Sequence, residues 1–342
     1  MKRLQIFIAA ILIGSALLPA CASAEVECSS EDIFCVGLVT DIGKINDKSF
    51  NQSAWEGVQQ AQRELGAQVE YIETADPRDY AKNIATFGEA SYDVIVTVGF
   101  SLGEATAAAA IAYPEVDFIG VDQFQSTIIE GVAGLNFPED KAGFLVGALA
   151  ALMSKGHRIG AVCGTDGVPP VWRLGEGYKA GAAHADSLTG TNTEVTVVYH
   201  SNDDRAFIDP EWGAATALSM IEQGADVVFG CGSVTGNGAI TAAAQAGVFA
   251  IGVDSDQYLS MPAAAPRMLS SALKLISPGV FQLIKLSRDG SFPSGNYPGD
   301  VGYAPFHDLE NEVPVQVKEI MEEIHAGLMD GSIMTNVPPV KP

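Results

Sequence analysis

The chain reads as an α/β protein of two similar lobes, each a parallel sheet flanked by helices. Three observations predict this. Apolar β-type runs such as "CVGLVTD", "DVIVTV", "RIGAVCGTD" and "FAIGVD" alternate with amphipathic segments along most of the 342 residues, the pattern of strands buried on both faces. The alternation occurs twice, with "GLVTD" opening the first round at Gly37 and "GAVCGTD" opening the second at Gly160. Finally, roughly 320 residues remain once an N-terminal leader is set aside, which exceeds a small single domain.

The elements follow in order. Residues 1–24 read as a signal peptide: Lys2 and Arg3 form a positive start, and "IFIAAILIGSALL" is an apolar core too short for a comfortable membrane span. Two cleavage readings stand. "LPAC" resembles a lipobox that would leave Cys21 acylated, and Ala22-Ser23-Ala24 is an ordinary A-x-A site. Export follows from either, and the lipoprotein is preferred. Cys28 and Cys35 then bracket the approach to the first strand, where an oxidising compartment permits a disulfide. Cys163 and Cys231 each end an apolar strand, as buried neighbours or as separate core thiols. No C-x-x-C occurs and the five histidines are scattered, so neither a metal nor a cofactor is expected.

After the first strand, the polar loop "DIGKINDKSFNQ" leads into a helix. Phe50, Ala54, Val58, Ala61 and Leu65 recur there at helical spacing, with Ser49 in capping position. Phe50 lies on the apolar side, so core packing competes with an exposed role. The next strand ends at Gly99-Phe100-Ser101-Leu102-Gly103, which matches the G-x-S-x-G turn that presents a nucleophilic serine in α/β-hydrolases. The internal repeat argues against a hydrolase. Aligning "DVIVTVGFSLG" with "DVVFGCGSVTG" puts Gly99 on Gly232 and Gly103 on Gly236, but Ser101 on Val234. The copies share a glycine turn that brings backbone N–H groups near a ligand, not the serine. His307 could be nominated as the base, yet no HGGG-like stretch precedes Ser101. With one residue of slippage, Asp122 and Asp254 occupy the same place at two strand ends. Each could simply cap a turn; two together suit a cleft between lobes, where small-ligand sites concentrate. A net charge of −23 makes nucleic acid a poor partner. No Walker A sequence is present, so any ATPase is another polypeptide.

Five ordered blocks carry a more specific signal. They are "GLVTDIGKINDKSFNQSAWEG", "GFLVGALAALMS", "GADVVFGCGSVTGNGAITAAAQAG", "IGVDSDQ" and "SSALKL", spread over most of residues 36–290. Together they resemble the basic membrane protein, or PnrA-like, family of substrate-binding lipoproteins that serve nucleoside ABC importers. The resemblance implies a type I periplasmic-binding-protein fold: two Rossmann-like lobes with parallel sheets, three crossover segments and a hinge. The expected bounds are 33–155 plus about 257–285 for the N-terminal lobe, and 156–256 plus about 286–342 for the C-terminal lobe.

The resemblance also implies a site. Asp41, Ser49, Phe50 and Asn51 lie in the best-matched block, with Phe50 stacking on a purine. Phe207 of "NDDRAFIDP" is the choice for a second aromatic, with Trp212 the alternate. Asp122 would hold the base, Asp254 and Lys274 the ribose hydroxyls, and Gly232 the turn beside them. One departure stands out: Asn46 precedes Asp47 where family members commonly carry two acids. The expected partners are a purine nucleoside, separate permease and ATPase subunits, and the membrane if Cys21 is acylated; the protein itself is expected to be a monomer and not an enzyme. Rival readings keep the fold and change the ligand to a free base, sugar or other small solute, or make the protein a sensor. The remote rival is the hydrolase using Ser101.

Overall fold

The computed structural model describes residues 28–30 and 32–342. The leader, its cleavage sites and Cys21 lie outside the described residues. In chain order the first half folds as β1 (Cys35–Ile42), α1 (Phe50–Leu65), β2 (Gln68–Thr74), α2 (Tyr80–Glu89), β3 (Val94–Val98), α3 (Gly103–Ala112), β4 (Asp117–Val121), β5 (Val132–Asn136) and α4 (Glu139–Met153). The second half repeats the theme: β6 (Arg158–Cys163), α5 (Pro169–Thr189), β7 (Glu194–Tyr199), α6 (Pro210–Glu222), β8 (Val227–Cys231), α7 (Ser233–Gln245) and β9 (Phe249–Asp254). Then come α8 (Gln257–Ser260), β10 (Met268–Lys274), α9 (Ile276–Arg288), β11 (Gly295–Pro298), β12 (Val301–Tyr303) and α10 (Val315–Asp330).

Two six-stranded sheets result, ordered β11-β5-β4-β3-β1-β2 and β12-β10-β9-β8-β6-β7. Their five main strands follow one order, which is the sequence repeat expressed as structure. Pairing is parallel throughout except where β12 closes antiparallel on β10. The strands β3 and β8 are buried along their whole length, as continuous apolar runs between two helical layers must be. The fold is therefore the type I periplasmic-binding-protein arrangement of two parallel-sheet lobes.

Sheet membership corrects the expected lobe bounds. β10 extends the second sheet beside β9, as β5 extends the first beside β4, so residues 268–274 do not belong to the N-terminal lobe. Conversely, β11 pairs with β5 in the first sheet although it lies beyond residue 286. The chain crosses between lobes after β5, after β10 and between β11 and β12. The bound drawn at residue 257 falls one strand too early, because a local pattern does not reveal which sheet a strand joins.

The helix α4 also sits with the second lobe, along α5. It is buried almost all round, as an evenly apolar helix must be. Small residues let the two helices touch backbone to backbone: a Cβ added at Gly181 would lie 1.9 Å from the Phe144 carbonyl oxygen. Among the described residues two disulfides form. Cys28 bonds Cys35 at a Cα separation of 5.8 Å. Cys163 bonds Cys231 on the neighbouring strands β6 and β8, directly opposite in register. Among the described residues no helix is long and apolar enough to cross a membrane.

Candidate functional site

Open parallel sheets leave ligand sites beyond the carboxyl ends of their strands, where the strand order reverses. Both lobes turn such an end toward the other, and a cavity of about 650 Å³, counting its mouth, lies between them. The first lobe supplies Asp41 from the end of β1, Phe50 and Asn51 from the start of α1, and Asp122 just past β4. The second lobe supplies Phe207, Gly232, Asp254 and Lys274. Of the residues expected to line the site, Ser49 lies off the cavity wall. Trp212 is also elsewhere, with its ring 4.5 Å from that of His200. Phe207 is positioned by a missing side chain: its ring packs where a Cβ on Gly164 would stand, 2.2 Å away.

Four carboxylates and one lysine set the electrostatics. Lys274 Nζ donates to Asp122 Oδ1 at 2.8 Å and Oδ2 at 2.6 Å, joining the lobes beside a crossover. Glu139 lies 3.6 Å from the same nitrogen and is itself held by Arg173 at 2.6 Å. Burial alone would lower the Lys274 pKa, but the carboxylates of Asp122, Glu139 and Asp254 outweigh it and raise it. The ammonium also stands 5.0 Å from the Phe50 ring centroid, a cation–π distance. Burial pushes Asp254 up to about 6 against the pull of Lys274 and Ser49. Asp41 is pushed up to about 7 by burial; Asn51 Nδ2 donates to it at 3.0 Å, and the charges of Asp47, Asp122 and Asp254 add to the upward shift. Among the described residues the Asn51 Oδ1 atom is buried without a partner, and Asn51 is one of the residues that line the cavity.

Asp122 and Asp254 share another property. Both hold left-handed backbone conformations, with φ of 61° and 66°. Non-glycine residues rarely adopt these without a constraint from their surroundings, and such residues cluster at ligand sites. Ser49, expected as the cap of α1, does something else. Its hydroxyl donates to Asp254 Oδ2 at 2.6 Å, and the carboxylate of Asp47 caps α1 instead, accepting from the N–H groups of Ser49, Asn51 and Gln52. Ser101 sits on the cavity wall, but His307 is outside it, hydrogen-bonded to Asp256 at 2.6 Å and stacked on Tyr258.

A family model described as "ABC transporter substrate-binding protein PnrA-like" matches residues 34–298. The chain belongs to that family. It is 30% identical to a "CD4+ T-cell-stimulating antigen" of Listeria innocua, over 94% of this chain and 95% of that one. It is 29% identical to an "ABC transporter nucleoside-binding protein BmpA" of Lactococcus lactis subsp. cremoris, over 97% and 99%. The solved structure of an ABC transporter solute-binding protein from Aeropyrum pernix superposes with a TM-score of 0.80 at 25% identity, covering 88% of this chain and 92% of that one. This chain is accordingly an ABC-type substrate-binding protein in fold and family, and its family works by binding solutes.

Sequence reading missed one wall of the cavity. Val168, Pro170, Val171 and Leu174, from the turn before α5 and its first turns, line it with apolar surface. A signal existed: the β6–α5 junction is the second-lobe counterpart of the β1–α1 loop, so the internal repeat points to it.

Proposed function

We propose that the protein captures purine nucleosides in the interlobe cavity, outside the cytoplasm, and delivers them to a separate permease and ATPase. The observation that carries this reading is that Phe50 and Phe207, from opposite lobes, line one cavity together with Asp41, Asp122 and Asp254. A purine offers two apolar faces, and stacking on an aromatic ring is worth roughly 1–3 kcal/mol per base in nucleic-acid binders. Ring-edge N–H groups donate well to a carboxylate or to the Asn51 oxygen. A ribose diol donates to Asp254, while Lys274 donates to a ribose oxygen.

Nucleotides fit this environment poorly. Asp41, Asp122 and Asp254 surround the cavity, its one lysine is already paired, and Asp203 and Asp204 line the adjoining opening. A phosphate there would meet uncompensated negative charge. The protein acts as a monomer, held at the membrane by an acylated Cys21.

Thermal unfolding across a panel of nucleosides, bases, sugars and nucleotides tests the reading. A ligand at 100 times its dissociation constant adds about 2.7 kcal/mol, an easily seen shift. Stabilisation by inosine, guanosine or adenosine but not by their monophosphates is expected. Stabilisation by sugars alone would discard the substrate and keep the fold.

A further inference from the structure

The loop between β1 and α1 does more than deliver Phe50. Residues Asp47 and Lys48 leave the first lobe and lie against the second. The Asp47 carbonyl oxygen accepts from Asn237 Nδ2 at 2.7 Å. The Lys48 carbonyl oxygen accepts from Gln257 Nε2 at 3.0 Å and from Ser260 Oγ at 3.2 Å. The Asp47 carboxylate, while capping α1, takes a further bond from Ser233 Oγ at 2.8 Å, at the start of α7. Lys48 adopts a left-handed φ of 62° to present its carbonyl this way.

The second-lobe donors are fixed by their own lobe. Gln257 Nε2 also donates to Asn237 Oδ1 at 2.8 Å, Gln257 Oε1 accepts from the Val253 N–H at 2.9 Å, and the Gln257 N–H donates to Ser271 Oγ at 3.1 Å. The amides that grip the loop are therefore oriented before the lobes meet, so little side-chain freedom is lost when they do. Asp47, Lys48, Asn237, Gln257 and Ser260 all lie off the ligand cavity. Their contacts need no ligand.

We propose that this loop is an interlobe latch: Asn237 and Gln257 hold the carbonyls of Asp47 and Lys48 and bias the ligand-free protein toward the closed arrangement. The latch positions the site without touching the ligand. It sets Phe50 on the cavity that Phe207 also lines and brings Ser49 to Asp254. It rests on the two-lobed binding reading above but not on the ligand being a purine nucleoside. A protein whose binding-competent state is only partly populated loses apparent affinity by that fraction, so loosening the latch weakens every ligand of the cavity alike.

The test is small-angle X-ray scattering of the ligand-free mature protein, with Asn237→Ala and Ser260→Ala as separate variants. Circular dichroism reports that each is folded. Scattering of the unsubstituted protein should fit the closed arrangement, and the radius of gyration should rise in Asn237→Ala and, less, in Ser260→Ala. The off-rate of any nucleoside found by thermal shift should rise roughly two- to tenfold in Asn237→Ala, the worth of one hydrogen bond. An unsubstituted protein already as extended as the variants, or variants as compact as the unsubstituted protein, overturns the latch. If Asn237→Ala does not fold, Ser260→Ala alone decides. A panel with no stabilising nucleoside would remove the purine reading while the scattering still decides the latch.

Discussion

Asp122 and Asp254 end equivalent strands in two copies of one unit, hold the same left-handed backbone and face the same cavity. Their partners differ. Asp122 is bound through both oxygens by a lysine from the opposite lobe, whereas Asp254 takes a neutral hydroxyl from the opposite lobe. The repeat thus supplies two matched carboxylates, and a single cation makes them chemically unlike. One becomes half of a buried ion pair beside the hinge. The other stays a hydrogen-bonding acid whose pKa burial pushes up to about 6.

Removing the cation breaks this asymmetry and should have the largest effect. Lys274→Ala leaves Asp122 buried without its countercharge and Glu139 with Arg173 alone, the situation in which losing one partner of a buried pair costs about 3–5 kcal/mol. A fall of that size in unfolding free energy, measured by urea denaturation, is expected together with loss of ligand binding. Next comes Phe50→Ala, which removes a stacking face and should weaken nucleoside binding by tenfold or more, corresponding to over ~1.4 kcal/mol. Its unfolding midpoint should move far less than that of Lys274→Ala.

The asymmetry can then be sharpened with ligand pairs. Asp254→Asn keeps an acceptor for Ser49 but loses the charge offered to a diol. It should weaken a nucleoside more than the matching free base in calorimetric titration, while Asp122→Asn should weaken both. Equal losses for both ligands in Asp254→Asn would sink its assignment to the ribose.

Acid titration gives a smaller and differently signed effect. Burial raises Asp41 to about 7 and Asp254 to about 6, above an unfolded value near 3.8. Between pH 4 and 7 these two groups bind more protons in the folded protein than in the unfolded chain, so their contribution to stability falls as pH rises through that window. Asp41→Asn should flatten the fall and stabilise the ligand-free protein at pH 7.5 by on the order of 1–2 kcal/mol. A steeper pH dependence in that variant would contradict the burial argument. Smallest of all, Ser101→Ala should leave nucleoside affinity unchanged within about twofold, since the repeat requires the glycine turn and not the hydroxyl.

The asymmetry also shows which features were legible in the sequence. The buried strands were, because a parallel strand covered on both faces is an unbroken apolar run, as in "DVVFGC". So were the paired acids, because the repeat put them in register. The lobe membership of β10 and β11 was not, since it is set by pairing with strands distant in the chain. Nor was the role of Ser49: capping is a local signal, and its actual partner, Asp254, is 205 residues away. Asn237 and Gln257 fall inside two of the matched blocks, but nothing local marked their role, because a polar side chain on a helix is ordinarily solvated. Phe207 and Trp212 could be told apart only once Gly164 was seen to leave room for one ring.

The most direct test of the central claim is isothermal titration calorimetry of the mature protein with inosine, inosine 5′-monophosphate and ribose. Binding of inosine alone, lost by tenfold or more in Phe50→Ala, is the result expected from an acidic cavity with two aromatic walls. Binding of the monophosphate as tight as that of inosine, or inosine binding untouched by Phe50→Ala, would contradict it.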